Sequence, residues 1–221
     1  MKKELYVEIE EYMKSCVKET AHDREHIYRV LGNCVKIAEN EEDVDYDTLL
    51  AAALLHDIGR NGKTKKHNEI GAEMAEKFLK SVDFPQEKVK PVCDAIRTHN
   101  NESYGEQSSK EAEILYDADK LDAIGIMGIS RSLIGVGNYN HPMYIVKNGK
   151  IDTDEASETD TFVRYYVRNL SKNYDRFFTE TAKKIAEEQK DIDEKYFKTL
   201  LSLVDENCAE LDKIDKLLEK Q

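Results

Sequence analysis

The sequence predicts an all-α fold, and three observations support this prediction. Apolar residues recur at three- and four-residue intervals through most of the chain, which is the spacing of one helix face. Signals for strands are nearly absent. Charged residues make up 35% of the 221 residues and apolar residues 40%, as expected for helices that bury one face and solvate the other. With no internal repeat or clear linker, we expect a single domain with a core over about 20–134, a loop or lid region over about 135–160 and C-terminal helices over about 161–221.

Five helices are predicted in the first hundred residues from the spacing of their apolar side chains. They cover residues 4–19, 23–39 and 48–57, a fourth that begins near 68, and a fifth that follows Pro85 and runs to 99. Asp23 suits a helix N-cap, and Pro85 suits the first turn of the fifth helix. The segment 49–55 is apolar on every side, so the third helix is expected to be buried.

The second half of the chain is predicted to hold one long helix, a loop region and two further long helices. Ser108 to Glu111 has the spacing of a capping box, which predicts a sixth helix over about 109–133. The composition of residues 135–142 is typical of a loop, and the pair Gly135 and Gly137 alone is no dinucleotide motif. Residues 143–146 suit a short extended piece before a turn at 148–149.

Charge and cysteine content exclude several classes of protein. The formal net charge of -12 argues against non-specific binding to nucleic acids, which needs a basic surface. The four cysteines have no spacing of a zinc site or disulfide framework. The N-terminal segment is amphipathic, and no apolar run reaches the length of a membrane span. We therefore expect a cytoplasmic protein with no membrane partner.

The apolar third helix ends abruptly at His56 and Asp57. Burying both polar groups without partners is costly, and a metal ion satisfies an imidazole nitrogen and a carboxylate oxygen together. A hydrogen-bonded histidine beside a capping aspartate is the alternative. The other histidines favour the metal, because five of the six lie in the first half of the chain: His22, His26, His56, His67 and His99. Three of these, His56, His67 and His99, stand where a predicted helix begins or ends.

Three aspartates on the sixth helix add carboxylates, and helix geometry separates their roles. Asp119 and Asp122 lie about 60° apart around the helix axis, whereas Asp117 lies about 160° from Asp119. One carboxylate of this group is therefore expected to face the metal, with a neighbour supporting it.

The order His26, His56-Asp57 and Asp119 resembles the H…HD…D signature of the HD-domain superfamily of metal-dependent phosphohydrolases. Residues 22–30, 117–125 and 128–131 are similar to a bacterial cytosolic branch that includes nucleotide pyrophosphohydrolases, and so are 173–175 and 179–186. The resemblance implies a multi-helix HD bundle with a C-terminal helical extension. It implies His26, His56, Asp57 and Asp119 as metal ligands.

The function that this resemblance implies is hydrolysis of a nucleotide or related phosphate ester, including cleavage of a nucleoside triphosphate to monophosphate and pyrophosphate. Metal-activated water would attack phosphorus. Nitrogen and oxygen ligands without thiolate suit a divalent metal such as Mn, Fe, Ni, Co, Mg or Zn. His67 and His99 depart from the single-metal pattern and resemble HD members with two ions, so one or two ions are expected; in the alternative, both histidines bind the phosphate or the leaving oxygen.

Basic residues stand out because the chain is acidic overall. Lys63 and Lys66 follow the His-Asp pair and are expected to contact phosphate, although a solvated lysine run is the alternative. Arg29, Lys120 and Arg131 are further candidates for substrate binding. The catalytic assignment falls on Asp57, Lys63 and Asp122, with Asp122 expected to support Lys120, Arg131 or the metal ligands.

Two other functions are compatible with the same residues. A di-iron oxygenase on the HD scaffold would use His67 and His99 as additional ligands. A non-catalytic nucleotide sensor would keep the metal as a clasp, although a clasp needs no open coordination positions. The predicted partner is a small phosphorylated substrate, and the C-terminal amphipathic helices are suited to pairing in a homo-oligomer.

Overall fold

The structure, a computed structural model, describes residues 1–18, 22–60, 66–100, 103–154, 156 and 160–219. Helices dominate these residues, which confirms the all-α prediction. None of the helices in the described ranges is both long and apolar enough to cross a membrane. The chain divides into two compact units, Met1–Asp122 with Arg176–Ile185 and Ala123–Asp175 with Ala186–Gln221. The single domain that we expect from the sequence stays a prediction.

The helices of the first unit match the first five predicted segments and the start of the sixth. They are α1 Lys3–Cys16, α2 Arg24–Ala38, α3 Tyr46–Leu55, α4 His67–Ser81, α5 Gln86–Arg97 and α6 Lys110–Leu121. Asp23 caps α2 as predicted, because its carboxylate accepts a hydrogen bond from the backbone N–H of His26. Asp45 caps α3 in the same way through the N–H of Asp47.

The buried helix α3 is the centre of the first unit, as its all-round apolarity predicts. It packs against α1, α2, α4, α5 and α6, and its residues from Thr48 onward are buried except Leu50. A helix enclosed in this way carries its C-terminal residues into the interior. His56 and Asp57 therefore enter a site bordered by several helices.

Two glycines let the chain after α3 cross closely over the start of α4. A Cβ atom added at Gly59 would lie 2.1 Å from the carbonyl oxygen of His67 and 2.4 Å from the nitrogen of Gly71. Only glycine permits this approach of two backbones. The crossing brings the first residue of α4 next to the His-Asp pair.

The predicted sixth helix is in fact two helices, and this prediction was wrong. Helix α6 ends at Leu121, and α7 runs over Gly125–Asn138. Gly125 has a φ of +61°, a left-handed conformation that interrupts a helix and that glycine adopts at little cost. The N-cap of α6 is Ser109 rather than Ser108, and Glu111 accepts a hydrogen bond from the N–H of Asp45 instead of closing a capping box.

The loop predicted at 135–142 was wrong over its first part, because α7 includes Gly135 and Gly137. Each glycine weakens a helix by about 1 kcal/mol relative to alanine. Leu133 and Val136 on α7 pack against the core of the second unit, and this packing outweighs the weak local preference.

The second unit surrounds a core formed by Ile129, Ile151, Phe162, Val163, Phe197, Val204 and Cys208. Strands β1 Val146–Lys147 and β2 Lys150–Ile151 form an antiparallel hairpin whose turn is the predicted pair at 148–149. The remaining helices are α8 Phe162–Arg168, a 3-10 helix Leu170–Asp175, α9 Glu180–Leu211 and α10 Ile214–Leu218. The prediction of two long C-terminal helices was therefore wrong, since α9 alone is long.

Candidate metal centre

Six side chains from five helices of the first unit converge in its interior. Five of them are buried and lie on or shortly after a helix, and the sixth, on the last turn of α6, is partly exposed. They are His26, His56, Asp57, His99, His67 and Asp119. These are the six residues that the sequence identifies as candidate metal ligands.

Three atoms form the first half of the centre. The Nε2 atoms of His26 and His56 are 3.3 Å apart, and Oδ2 of Asp57 lies 3.6 Å from the first and 3.8 Å from the second. A point equidistant from these three atoms lies about 2.1 Å from each, within the range of about 2.0–2.2 Å for bonds from zinc to nitrogen or carboxylate oxygen. Asp119 Oδ1 lies 3.5 Å from His26 Nε2 and adds a fourth donor.

The other oxygen of Asp57 belongs to a second, similar group. Asp57 Oδ1 lies 3.6 Å from Nε2 of His67 and 3.4 Å from Nε2 of His99, and the two nitrogens are 3.3 Å apart. The equidistant point is about 2.0 Å from each atom, again a metal–ligand distance. Both groups have the composition of a cation site, and Asp57 is common to them.

Hydrogen bonds on the far side of the rings determine which nitrogens carry lone pairs. Nδ1 of His56 donates to the carbonyl of Ala53 at 2.8 Å, and Nδ1 of His99 donates to the carbonyl of Ile96 at 2.6 Å. Nδ1 of His26 lies 2.7 Å from Oδ2 of Asp122, which can only accept. In the neutral form of each ring the proton is therefore on Nδ1, and Nε2 presents its lone pair to the centre. A cation there would be a partner for all three lone pairs.

The carboxylate of Asp57 is the clearest sign of a cation site. Its side chain is 1% exposed, and neither oxygen has a hydrogen-bond partner among the residues that the structure describes. Arg60 places Nε 2.7 Å from Oδ2, but the N–H direction is poor, so this contact is an ion pair without a good hydrogen bond. Buried carboxylates are normally paired or bind metal. The residues thus fit a divalent ion.

The electrostatics keep the ligands in the protonation states that metal binding needs. Burial lowers the pKa of His56 to about 3. Burial and the charge of Arg60 lower the pKa of His67 to about 4. Burial alone would raise the pKa of Asp57, but Arg60 and His56 outweigh it and hold that pKa well below its usual range. At neutral pH His56 and His67 are therefore neutral and Asp57 is ionised, as metal binding requires.

We expect the metal-free protein to lose stability as the pH falls from 7.5 to 5. The pKa values of His56 and His67 are lowered in the folded chain, so their stabilising contribution is complete above the unfolded value of about 6.5 and is lost below it. Two such groups change the free energy of unfolding by about 2–4 kcal/mol over this range. Urea titrations at both pH values measure the change.

The exposed His141 provides the matched control for this pH dependence. The His141→Asn variant should show the same loss of stability as the wild type, whereas His56→Asn should show a smaller one. A free energy of unfolding that is independent of pH between 7.5 and 5 in the wild-type chain contradicts the expectation.

Asp122 and Arg29 support the centre from its edge. Arg29 Nε donates to Asp122 Oδ1 at 2.7 Å, while the other oxygen of Asp122 meets His26. Asp122 thus orients a candidate ligand, as expected for a carboxylate behind a metal-binding histidine. On the other side, Lys120 Nζ lies 2.7 Å from Asp119 Oδ2. Burial tends to raise the pKa of Asp119, but Lys120 and His26 keep it well below its usual range.

The remaining predicted site residues lie in different places. Lys66 is exposed directly before α4, and Arg131 lies on α7 in the second unit. Lys63 falls outside the described residues, so its predicted contacts stay predictions. The ring of His22 meets that of His26 edge-on at 5.5 Å.

Sequence reasoning missed Arg60, whose charge lies against Asp57. The residue follows Asp57 by three positions, a spacing that brings side chains together in a helical turn. That spacing is the available signal, but the predicted helix ends at Asp57 and Gly59 follows, where helical periodicity no longer predicts direction.

Comparison with known proteins agrees with the geometry. The HD domain family profile matches residues 24–124, which include all six converging residues. Bacillus subtilis YpgQ is 27% identical over 176 residues, which cover 77% of this chain and 78% of YpgQ. Its crystal structure in complex with ADP has a TM-score of 0.70, covering 88% of this chain and 95% of YpgQ.

Two further solved structures share the fold. A Lactobacillus plantarum protein, 23% identical, covers 96% of this chain and 99% of its own with a TM-score of 0.74. A predicted HD-superfamily hydrolase from an uncultured Thermotogales bacterium is 29% identical, with a TM-score of 0.57 and coverage of 90% of this chain and 91% of its own. Residues 24–124 are therefore an HD domain, and this part of the chain, with its cluster of histidines and aspartates compatible with a divalent metal, belongs to the HD-domain superfamily.

Proposed function

We propose that the chain is a metal-dependent phosphohydrolase whose centre holds two divalent ions. His26, His56, Asp57 and Asp119 would hold one ion, and Asp57, His67 and His99 the other. The observation that carries the proposal is the position of the Asp57 carboxylate between two groups of donors. Each of its two oxygens belongs to a different group, at metal-binding spacing. Carboxylates that bridge two ions in this way are typical of centres that act on phosphate esters.

Bound ions would supply Lewis acidity, which activates water near neutral pH and offsets charge on phosphorus. The protein's own residues prepare the site for that chemistry. Asp57 fixes the distance between the two groups, and Asp122 holds the ring of His26 in the tautomer that leaves Nε2 free of a proton. His56 is held in the same state by the carbonyl of Ala53.

Cationic side chains at the centre favour an anionic substrate. Arg60 lies 2.7 Å from Oδ2 of Asp57, and Lys120 lies 2.7 Å from Oδ2 of Asp119. Once ions neutralise these carboxylates, both cations can turn to phosphate oxygens. Arg29 and Lys66 are further candidates for phosphate contact. Lys63 and Arg131 stay candidates for substrate binding on the evidence of the sequence alone.

The proposed substrate is a nucleotide or a related phosphate ester. Support comes from the ADP complex of Bacillus subtilis YpgQ, which covers most of this chain with 25% identity. The acidic net charge of the chain makes a polymeric nucleic acid a poor substrate, whereas a small phosphorylated molecule needs only the local cations.

A di-iron oxygenase is the second candidate, because six nitrogen and oxygen donors around a shared carboxylate also suit two iron ions. The two functions differ in what they consume. Oxygen uptake by anaerobically purified, iron-loaded protein would favour the oxygenase, and hydrolysis of phosphate esters without oxygen would favour the phosphohydrolase.

The number of bound ions tests the proposed centre directly. We expect chelator-treated protein to be inactive on phosphate esters and to bind two Mn²⁺ per chain, measured by elemental analysis after gel filtration. His99→Gln removes one donor of the second group and should reduce the count toward one, while His141→Gln should retain two. One ion in the wild-type chain, or full hydrolysis after complete metal removal, contradicts the proposal.

A further inference from the structure

Three aromatic rings of the first unit form a cluster that the metal centre does not use. Tyr104, Tyr116 and Phe178 pack with centroid distances of 5.1–5.6 Å, and we call this group the aromatic platform. Tyr104 lies in the connection between α5 and α6, five positions after His99, and is 42% exposed. The guanidinium of Arg176 lies over its ring at 5.9 Å from the centroid.

The aromatic platform lies next to the candidate metal centre. Lys120 Nζ is 5.2 Å from the centroid of Tyr116 and 2.7 Å from Asp119 Oδ2. A single lysine head group therefore separates the platform from a candidate metal ligand. The centroid of Tyr104 lies a further 5.6 Å from that of Tyr116, so the exposed ring is within about 14 Å of Asp119 Oδ2.

The hydroxyl of Tyr116 is unusual for a buried polar group. Tyr116 is fully buried, and its hydroxyl has no hydrogen-bond partner within the described ranges of the chain. A buried tyrosine hydroxyl normally finds a partner, and each exception calls for an explanation. A ligand with polar edges at the platform would offer one.

We propose that the aromatic platform binds the base of a nucleoside phosphate, with the base stacked on Tyr104 beneath Arg176. This inference rests on the proposed hydrolysis at the metal centre and specifies its substrate class. An exposed tyrosine ring with an arginine over its face is a combination that receives planar bases, because both partners stack on π-faces. A sugar phosphate has no aromatic group for this position.

The spacing of the two stacking partners is close to what a base requires. A base in contact with both needs about 7 Å between them, because each contact takes about 3.5 Å. The observed 5.9 Å between the Arg176 guanidinium carbon and the Tyr104 centroid must widen by about 1 Å. Arg176 is a partly exposed side chain with several rotatable bonds, so this adjustment is small.

Kinetics with and without a base test the proposal. In the Mn²⁺-loaded enzyme, Tyr104→Ala should raise KM for ATP and GTP by roughly tenfold or more, the loss expected for one stacked base. KM for inorganic tripolyphosphate, which has no base, should change less than about twofold. Tyr104→Phe should restore KM. Tyr46→Ala, which removes a tyrosine of similar exposure at the start of α3, should leave all values unchanged.

A binding measurement separates this inference from the proposed hydrolysis. The chain contains no tryptophan, so Tyr104→Trp introduces its one indole fluorophore at the platform. ATP should quench this fluorescence and tripolyphosphate should not. Absence of ATP quenching, or equal KM increases for ATP and tripolyphosphate in Tyr104→Ala, overturns the platform. Base-dependent quenching without any hydrolysis would sustain the platform and overturn the phosphohydrolase.

Discussion

The Asp57→Ala variant is expected to lose phosphate-ester hydrolysis by at least about a thousandfold in kcat/KM, because several kcal/mol of transition-state stabilisation depend on bound metal. Asp57 is the residue whose oxygens face both groups of histidines, and among the residues that the structure describes no other side chain contributes to both. Hydrolysis of ATP and of a nitrophenyl phosphate ester with saturating Mn²⁺ measures the loss.

The fold of this variant should persist. Asp57 pairs with Arg60, whose side chain is 26% exposed and can turn to water when the carboxylate is removed. The Asp57→Ala protein should therefore unfold near the temperature of the metal-free wild type. Mn²⁺ should raise the unfolding temperature of the wild type but not of the variant, because ligands stabilise only a chain that binds them.

Asp83 offers a control, since it is an exposed aspartate between α4 and α5. Asp83→Ala should keep both the activity and the thermal response to Mn²⁺. Retention of more than a tenth of the activity by Asp57→Ala would show that the shared carboxylate is not the basis of the reaction.

The resemblance to the H…HD…D signature predicts the converging residues, and the regular helices that carry them are evident from apolar periodicity. His26 lies on a helix with clear apolar periodicity and an N-cap, and His56 ends a helix that had to be buried. Asp119 and Asp122 differ by about 60° around α6, and the structure gives them the separate contacts that this angle predicts. Local rules and long-range packing agree at these positions.

The errors arose where one backbone angle or a tertiary contact decided the structure. The break between α6 and α7 depends on the positive φ of Gly125, and a glycine in a helical pattern does not reveal its angle. The extension of α7 through Gly135 and Gly137 depends on packing of its apolar neighbours. Arg60 was missed because it follows a glycine turn, where periodicity no longer predicts direction.

Among glycine-to-alanine substitutions at the described glycines near the centre, Gly59→Ala is expected to lower the free energy of unfolding most. The new Cβ would lie 2.1 Å from the carbonyl oxygen of His67 and 2.4 Å from the nitrogen of Gly71. Both are backbone atoms of α4 and cannot move without displacing the helix. We expect a loss of about 3 kcal/mol or more in the free energy of unfolding, measured by urea titration.

Gly71→Ala tests the same crossing from the opposite backbone. There the nearest atoms to an added Cβ lie 3.4 Å away, an ordinary contact, and alanine favours the helix by about 1 kcal/mol over glycine. This variant should remain within about 1 kcal/mol of the wild type. The comparison of Gly59→Ala with Gly71→Ala therefore separates the effect of steric overlap from the general effect of adding a methyl group.

The close approach of Gly59 to the start of α4 also positions His67, which belongs to the second group of the metal centre. A displaced α4 would carry His67 away from His99 and Asp57, while His26 and His56 lie on other elements. Gly59→Ala protein that still folds at low temperature should accordingly bind about one Mn²⁺ per chain instead of two. Equal stability of Gly59→Ala and Gly71→Ala, with two ions in both, would show that the close approach does not position His67.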